Sequence, residues 1–264
     1  MVQQQILNES HERFCLYITI KCTGAKSFRV VVADQGKKNS KYADRLVKVL
    51  PQDKGERDIF LSFPVSPKAM VLTVYNKDAK HDKDFEVIAK KGSMKPSTAW
   101  LDSETQSFVQ MAVIFSQKSG FTQPQNPYTL YQSSDDLYKI KYFEVITDKG
   151  RPLSTPARIG HATGTIEVAK QPFDKYTIPM RMIILLHEFS HKYKNPKMGL
   201  EISDETGADV NALYIYLSLG FSKIDAIYVF AKVFFKAQTE GNIRRMRTIM
   251  DYIKKFEQTV PGVA

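Results

Sequence analysis

The chain has 264 residues, of which 43% are hydrophobic and 25% charged, with a net charge of +10. Such a chain can hold one large domain or two small ones with proper cores, and its composition is that of a globular protein rather than a disordered or fibrous one. No stretch approaches the roughly 18–20 apolar residues that span a bilayer, and no basic helix with interleaved aromatics marks a nucleic-acid binder.

The segment from Met1 to Glu12 is polar and lacks the apolar core of a secretory signal, so a cytoplasmic setting is expected, or a virion if the chain is phage-encoded. The positive charge is spread over Lys37 and Lys38, Lys77 to Lys95 and Lys192 to Lys197, as on a solvated surface. Nucleic acid is therefore not an expected partner.

From Phe14 to Ala89 the chain reads as short strands between turns. Phe14 to Ile20, Ser27 to Val32, Leu46 to Leu50, Asp58 to Phe63, Met70 to Tyr75 and Phe85 to Ile88 are rich in β-branched and aromatic residues. Turn signals separate them at Gly24, Gly36, Pro51 to Gly55, Pro64 to Pro67 and Asn76 to Asp78. This rhythm predicts an all-β sandwich or small barrel over residues 1–92. It carries no catalytic cluster, and its expected role is interaction or assembly with a protein partner. Cys15 and Cys22 would face opposite ways if they shared one strand, because their spacing is odd, and they read as buried free thiols.

Residues 93–264 follow a different pattern. Ser103 with Gln106 resembles a capping box, and Phe108, Met111, Ala112 and Phe115 recur at helical spacing up to Gly120. A polar loop, Thr122 to Asp136, leads to strand candidates at Leu137 to Thr147 and His161 to Val168. Tyr176 to Lys194 reads as a helix with Pro179 in its first turn, where the missing N–H costs little, and Pro196 beyond its end. Ser203 to Leu219, Ser222 to Ala237 and Asn242 to Glu257 complete a small sheet followed by helices, an α+β domain.

Within the first long helix stands His187-Glu188-Phe189-Ser190-His191. Positions i and i+4 share a helix face, so two imidazoles can grip one zinc ion, and Glu188 beside them can accept a proton from water. Zinc needs a third protein ligand and an open position to be catalytic. The next helix offers Glu205 and Asp209, again i and i+4; Glu205 can ligate, and Asp209 can hold the other nitrogen of a ligating histidine. Glu201 and Asp204 are rival ligands. The plainer alternatives are a pair of partly buried histidines and a solvated acidic face at a helix N-terminus.

His187-Glu188-x-x-His191 followed by Glu205-x-x-Ala208-Asp209 resembles the gluzincin metallopeptidases, over roughly Leu137 to Phe256. The resemblance implies a zincin-like domain with zinc on His187, His191 and Glu205, Asp209 behind a ligating histidine, and Glu188 as general base in peptide hydrolysis. It also implies a substrate-pairing edge strand, matched by Gly160 to Val168. The related metzincin pattern needs glycine and histidine where Lys194 and Lys197 stand, and is excluded. Tyr214, Tyr216, Arg244 and Arg245 are the candidates for stabilising the oxyanion. A second reading is a structural component of a larger assembly, for example a phage virion, carrying an active or vestigial zincin domain.

Overall fold

The computed structural model describes residues 1–7, 13–37, 39–77, 85–94, 101–160, 162–193 and 205–259. The chain divides into two compact units, Met1–Lys95 and Pro96–Ala264.

The first unit is built from β1 (Val2–Leu7), β2 (Phe14–Cys22), β3 (Lys26–Asp34), β4 (Lys41–Val49), β5 (Glu56–Phe63), β6 (Ala69–Asn76) and β7 (Phe85–Ser93). They form two antiparallel sheets, ordered β1-β6-β3-β4 and β5-β2-β7. Period-two alternation places Ile18 and Ile20 of β2, Phe28, Val30 and Val32 of β3, and Met70, Leu72 and Val74 of β6 in the core. The Phe28 and Phe85 rings meet with centroids 5.1 Å apart, joining one sheet to the other. Among the described residues the sheets do not close, which removes the barrel alternative.

Strand β1 escapes the sequence pattern because its run of Gln3, Gln4 and Gln5 carries no β-branched signal. It forms by edge pairing with β6, Val2 opposite Val74 and Ile6 opposite Met70, where backbone hydrogen bonds and the neighbouring core outweigh weak propensity. Both cysteines are free, but only Cys15 is buried; Cys22, at the end of β2, is half-buried.

The second unit begins with α1 (Ser103–Lys118). Its cap is Asp102 rather than Ser103: the Asp102 carboxylate accepts from the Thr105 N–H at 2.8 Å. Gln106 turns back to donate to the Leu101 carbonyl. Then come β8 (Thr129–Gln132), β9 (Lys139–Phe143), the two-residue pair β10 (Thr147–Asp148) and β11 (Arg151–Pro152), β12 (Ala157–Gly160) and β13 (Thr165–Ala169). A mixed sheet runs β12-β13-β9-β8, with β13 and β9 parallel and the other pairs antiparallel. β8 lies inside the stretch expected to be loop, and β13 is flanked on both sides. The edge strand is thus Ala157–Gly160, one strand earlier than expected; His161 lies outside the described residues.

The helices are α2 (Lys170–Phe173), α3 (Ile178–Ser190), α4 (Glu205–Ser218), α5 (Lys223–Val229) and α6 (Glu240–Thr259). α3 is mostly apolar, and all its residues are buried. It packs against α1, α4, α5 and β12. Phe189 lies two residues, about 200°, around the helix from His187. There it stacks on Phe108 of α1 at 4.2 Å and on Tyr193 at 4.7 Å, so the face opposite the histidines is anchored by aromatic packing. Arg181, fully buried, donates to the carbonyls of Ser116 at 2.9 Å and Phe173 at 3.3 Å and lies over the Phe173 ring. These acceptors satisfy a charge that burial alone would make costly.

The helix expected over Ser222 to Ala237 is interrupted. After α5 the chain takes a π-helical turn, Phe230–Phe234, and the Phe235 N–H donates back to the Phe230 carbonyl at 2.8 Å. Such wide turns are concentrated at functional sites.

Candidate metal centre

His187 lies in the last turn of α3, and His191 follows as its C-terminal cap, still with helical angles of φ −71 and ψ −18. The His191 N–H closes onto the Glu188 carbonyl at 3.2 Å, tightening the final turn. The two rings therefore share one side of the helix, with centroids 4.7 Å apart and planes at 89°. Their Nε2 atoms stand 3.1 Å apart, closer than two lone pairs tolerate unless a proton or a cation lies between them.

Glu205 opens α4 and brings its carboxylate to the same point. Oε2 is 3.5 Å from His187 Nε2, and Oε1 is 3.7 Å from His191 Nε2. A tetrahedral ion with bonds of about 2.0–2.1 Å needs ligand atoms about 3.3 Å apart. The two nitrogens stand 3.1 Å apart, and each has a Glu205 oxygen, Oε2 for His187 and Oε1 for His191, at 3.5 and 3.7 Å, separations on the scale of that edge. His187, His191 and Glu205 can hold a metal ion. The Glu205 side chain is 57% exposed, so solvent reaches the cluster from its side and leaves room for a further ligand.

One turn along α4, Asp209 is fully buried and meets His187 from behind, Oδ1 lying 3.0 Å from Nδ1. The pair is at ion-pair distance without the alignment of a hydrogen bond, and a small rotation of the ring would direct the Nδ1 proton to the carboxylate and leave Nε2 for the cluster, as metal-ligating histidines require. Full burial removes the solvated-acidic-face alternative for Asp209. Phe234, delivered by the π turn, covers the His187 ring with centroids 4.0 Å apart. Glu188 is buried at the end of α3, near enough for its charge to favour the protonated form of His187. Lys194, Pro196, Lys197, Glu201 and Asp204 lie outside the described residues.

The four oxyanion candidates separate sharply. Tyr216 is fully buried and stacked on Phe221, and Tyr214 packs against Tyr252 and Phe256. Arg244 is exposed on α6. Arg245 alone reaches the cluster, but through the carboxylates: its Nε is 2.7 Å from Asp209 Oδ2, and its Nη2 is 3.0 Å from both Asp209 Oδ1 and Glu205 Oε2. Neither this pairing nor Phe234 carries a local sequence signal; the nearest hint is the aromatic run Phe230 to Phe235 in an otherwise ordinary amphipathic stretch.

The electrostatics follow from this geometry. Burial opposes a charge on His187, but the bonds to Asp209 and Glu205 and the charge of Glu188 override it and hold its pKa up at about 9. The bond to His187 brings Glu205 down to about 2, against partial burial and with help from His191 and Arg245. In the metal-free protein, the raised His187 value contributes stability that is complete below pH 6.5 and lost as pH rises through about 9. An imidazole must be deprotonated to ligate a metal, so metal and proton compete for His187. Metal binding at pH 7.5 is expected to release about one proton from His187, with affinity rising toward pH 9 and then levelling. Calorimetry in two buffers of different ionisation enthalpy measures this; a buffer-independent heat would refute it.

Among the described residues no helix is long and apolar enough to cross a membrane. No family model matches the chain, no curated protein matches its sequence, and no solved structure matches its fold.

Proposed function

We propose that the chain is a zinc-dependent peptidase whose C-terminal unit hydrolyses peptide bonds. The observation that carries this reading is the convergence of two imidazole nitrogens and one carboxylate on a single point, with a buried carboxylate behind the first imidazole. Two histidines and one glutamate with an open fourth position form a ligand set of catalytic zinc, and this borderline-soft mixture suits zinc better than the hard ions that prefer all-oxygen sites. Held there, zinc would act as a Lewis acid, lowering the pKa of water toward neutrality and polarising the scissile carbonyl.

The remaining chemistry belongs to the side chains. Glu188, adjacent to His187 and outside the ligand triangle, is the general base that takes a proton from the attacking water and returns it to the departing amine. Asp209 keeps His187 in the tautomer that presents Nε2. A peptide as substrate is supported by β12, an antiparallel edge strand that packs on α3. Its outer edge, which pairs with no strand among the described residues, can take an extended chain as an added strand. The gluzincin resemblance of the two helix motifs points to the same substrate class.

Metal analysis of the purified chain, alone and with Glu205→Ala, tests the reading. The expected result is stoichiometric zinc in the parent and its loss in the variant, which removes one of three protein ligands. A folded parent that takes up no zinc from a buffered excess would sink the proposal.

A further inference from the structure

Arg245 lies on α6, 40 residues beyond Glu205, yet its guanidinium reaches both carboxylates of the cluster. It grips Asp209 with two bonds, Nε to Oδ2 at 2.7 Å and Nη2 to Oδ1 at 3.0 Å, and Glu205 with a third from Nη2 to Oε2 at 3.0 Å. Asp209 Oδ1 therefore faces His187 Nδ1 and Arg245 Nη2 together. Behind the guanidinium lies the Phe235 ring, 4.6 Å from the guanidinium carbon. Phe235 closes the π turn whose preceding residue, Phe234, covers His187, so adjacent rings back the guanidinium and the imidazole.

Resting on the metal-binding reading above, we propose that Arg245 is a positioning residue for the metal ligands, fixing His187 through Asp209 and Glu205 directly. The physical case rests on the fork. A planar guanidinium with several fixed donors can span two carboxylates at once, whereas a lysine ammonium is a point charge on a flexible stem. Asp209 has no solvent to orient it, so its direction is set by its partners, and one of them is Arg245. Glu205 is half outside, and an exposed glutamate has several rotamers to choose from; the bond to Nη2 selects the one that faces the histidines. This places Arg245 on the ligand side of the cluster and not among groups that would touch substrate.

The test is a cobalt(II) titration of the full chain, followed by the visible d–d band and by chelator competition, for the parent, Arg245→Met and Arg245→Lys. Loss of a group that orients metal ligands typically weakens metal binding by about 10–100-fold, and Arg245→Met is expected in that range with an altered d–d band. Arg245→Lys keeps a positive charge against buried Asp209, so it serves if the methionine variant does not fold; it too is expected to bind cobalt more weakly than the parent. An ion pair that merely ties α6 to α4 would lower the melting temperature of the folded variants and leave their cobalt affinity and band at parental values, which would overturn the proposal. A parent chain that binds no cobalt would instead bring down the metal-binding reading itself, and this proposal with it.

Discussion

Glu188→Gln is expected to keep the metal and lose peptide hydrolysis by about 10²–10⁴-fold, the usual contribution of a positioned general base. Glutamine matches glutamate in length and shape, so the packing at the end of α3, where Glu188 is buried, is preserved. What disappears is the ability to accept a proton. Retained metal with lost turnover is therefore the diagnostic pair, read by metal analysis and by cleavage of an unstructured peptide substrate. Cleavage at the parental rate in a metal-loaded Glu188→Gln protein would remove Glu188 from the mechanism.

Asp209→Ala is expected to have the largest effect on the folded state. Asp209 is fully buried between His187 and Arg245, whose side chain is only 15% exposed. Removing one partner of a buried pair leaves the other charge uncompensated, which costs about 3–5 kcal/mol. Because Arg245 keeps its bond to Glu205, the loss should fall toward the lower end of that range. Metal affinity should fall too, by about 10–100-fold, since His187 loses the carboxylate that orients its ring. Urea unfolding of the metal-free protein separates the first effect from the second, which a chelator competition measures. If stability and affinity both stay at parental values, the buried arrangement described for Asp209 is wrong.

The parts of the centre legible in the sequence are those set by a single helix. His187 and His191 are four apart, as are Glu205 and Asp209, and a period of 3.6 residues brings each pair to one face wherever the helix lies. The short edge strand was harder to locate. The stretch that the resemblance matched to the edge, Gly160 to Val168, belongs mostly to β13, which is flanked on both sides, whereas the edge strand β12 has four residues and little pattern. Strand β1 was invisible because pairing with β6 decides it, not its glutamines.

The sequence by itself determined the strand-rich first part, the helix-rich second part, and which residues on α3 and α4 could serve one metal ion, because local periodicity depends only on backbone geometry. Tertiary structure alone decided that Glu205 of α4 comes within 3.5 to 3.7 Å of the two histidines, that Asp209 is buried and not solvated, and that Arg245 and Phe234 close around the cluster. Those facts join residues tens of positions apart, and the forces that join them, exclusion of water from α3 and pairing of charges inside that dry space, exist only once the chain has packed.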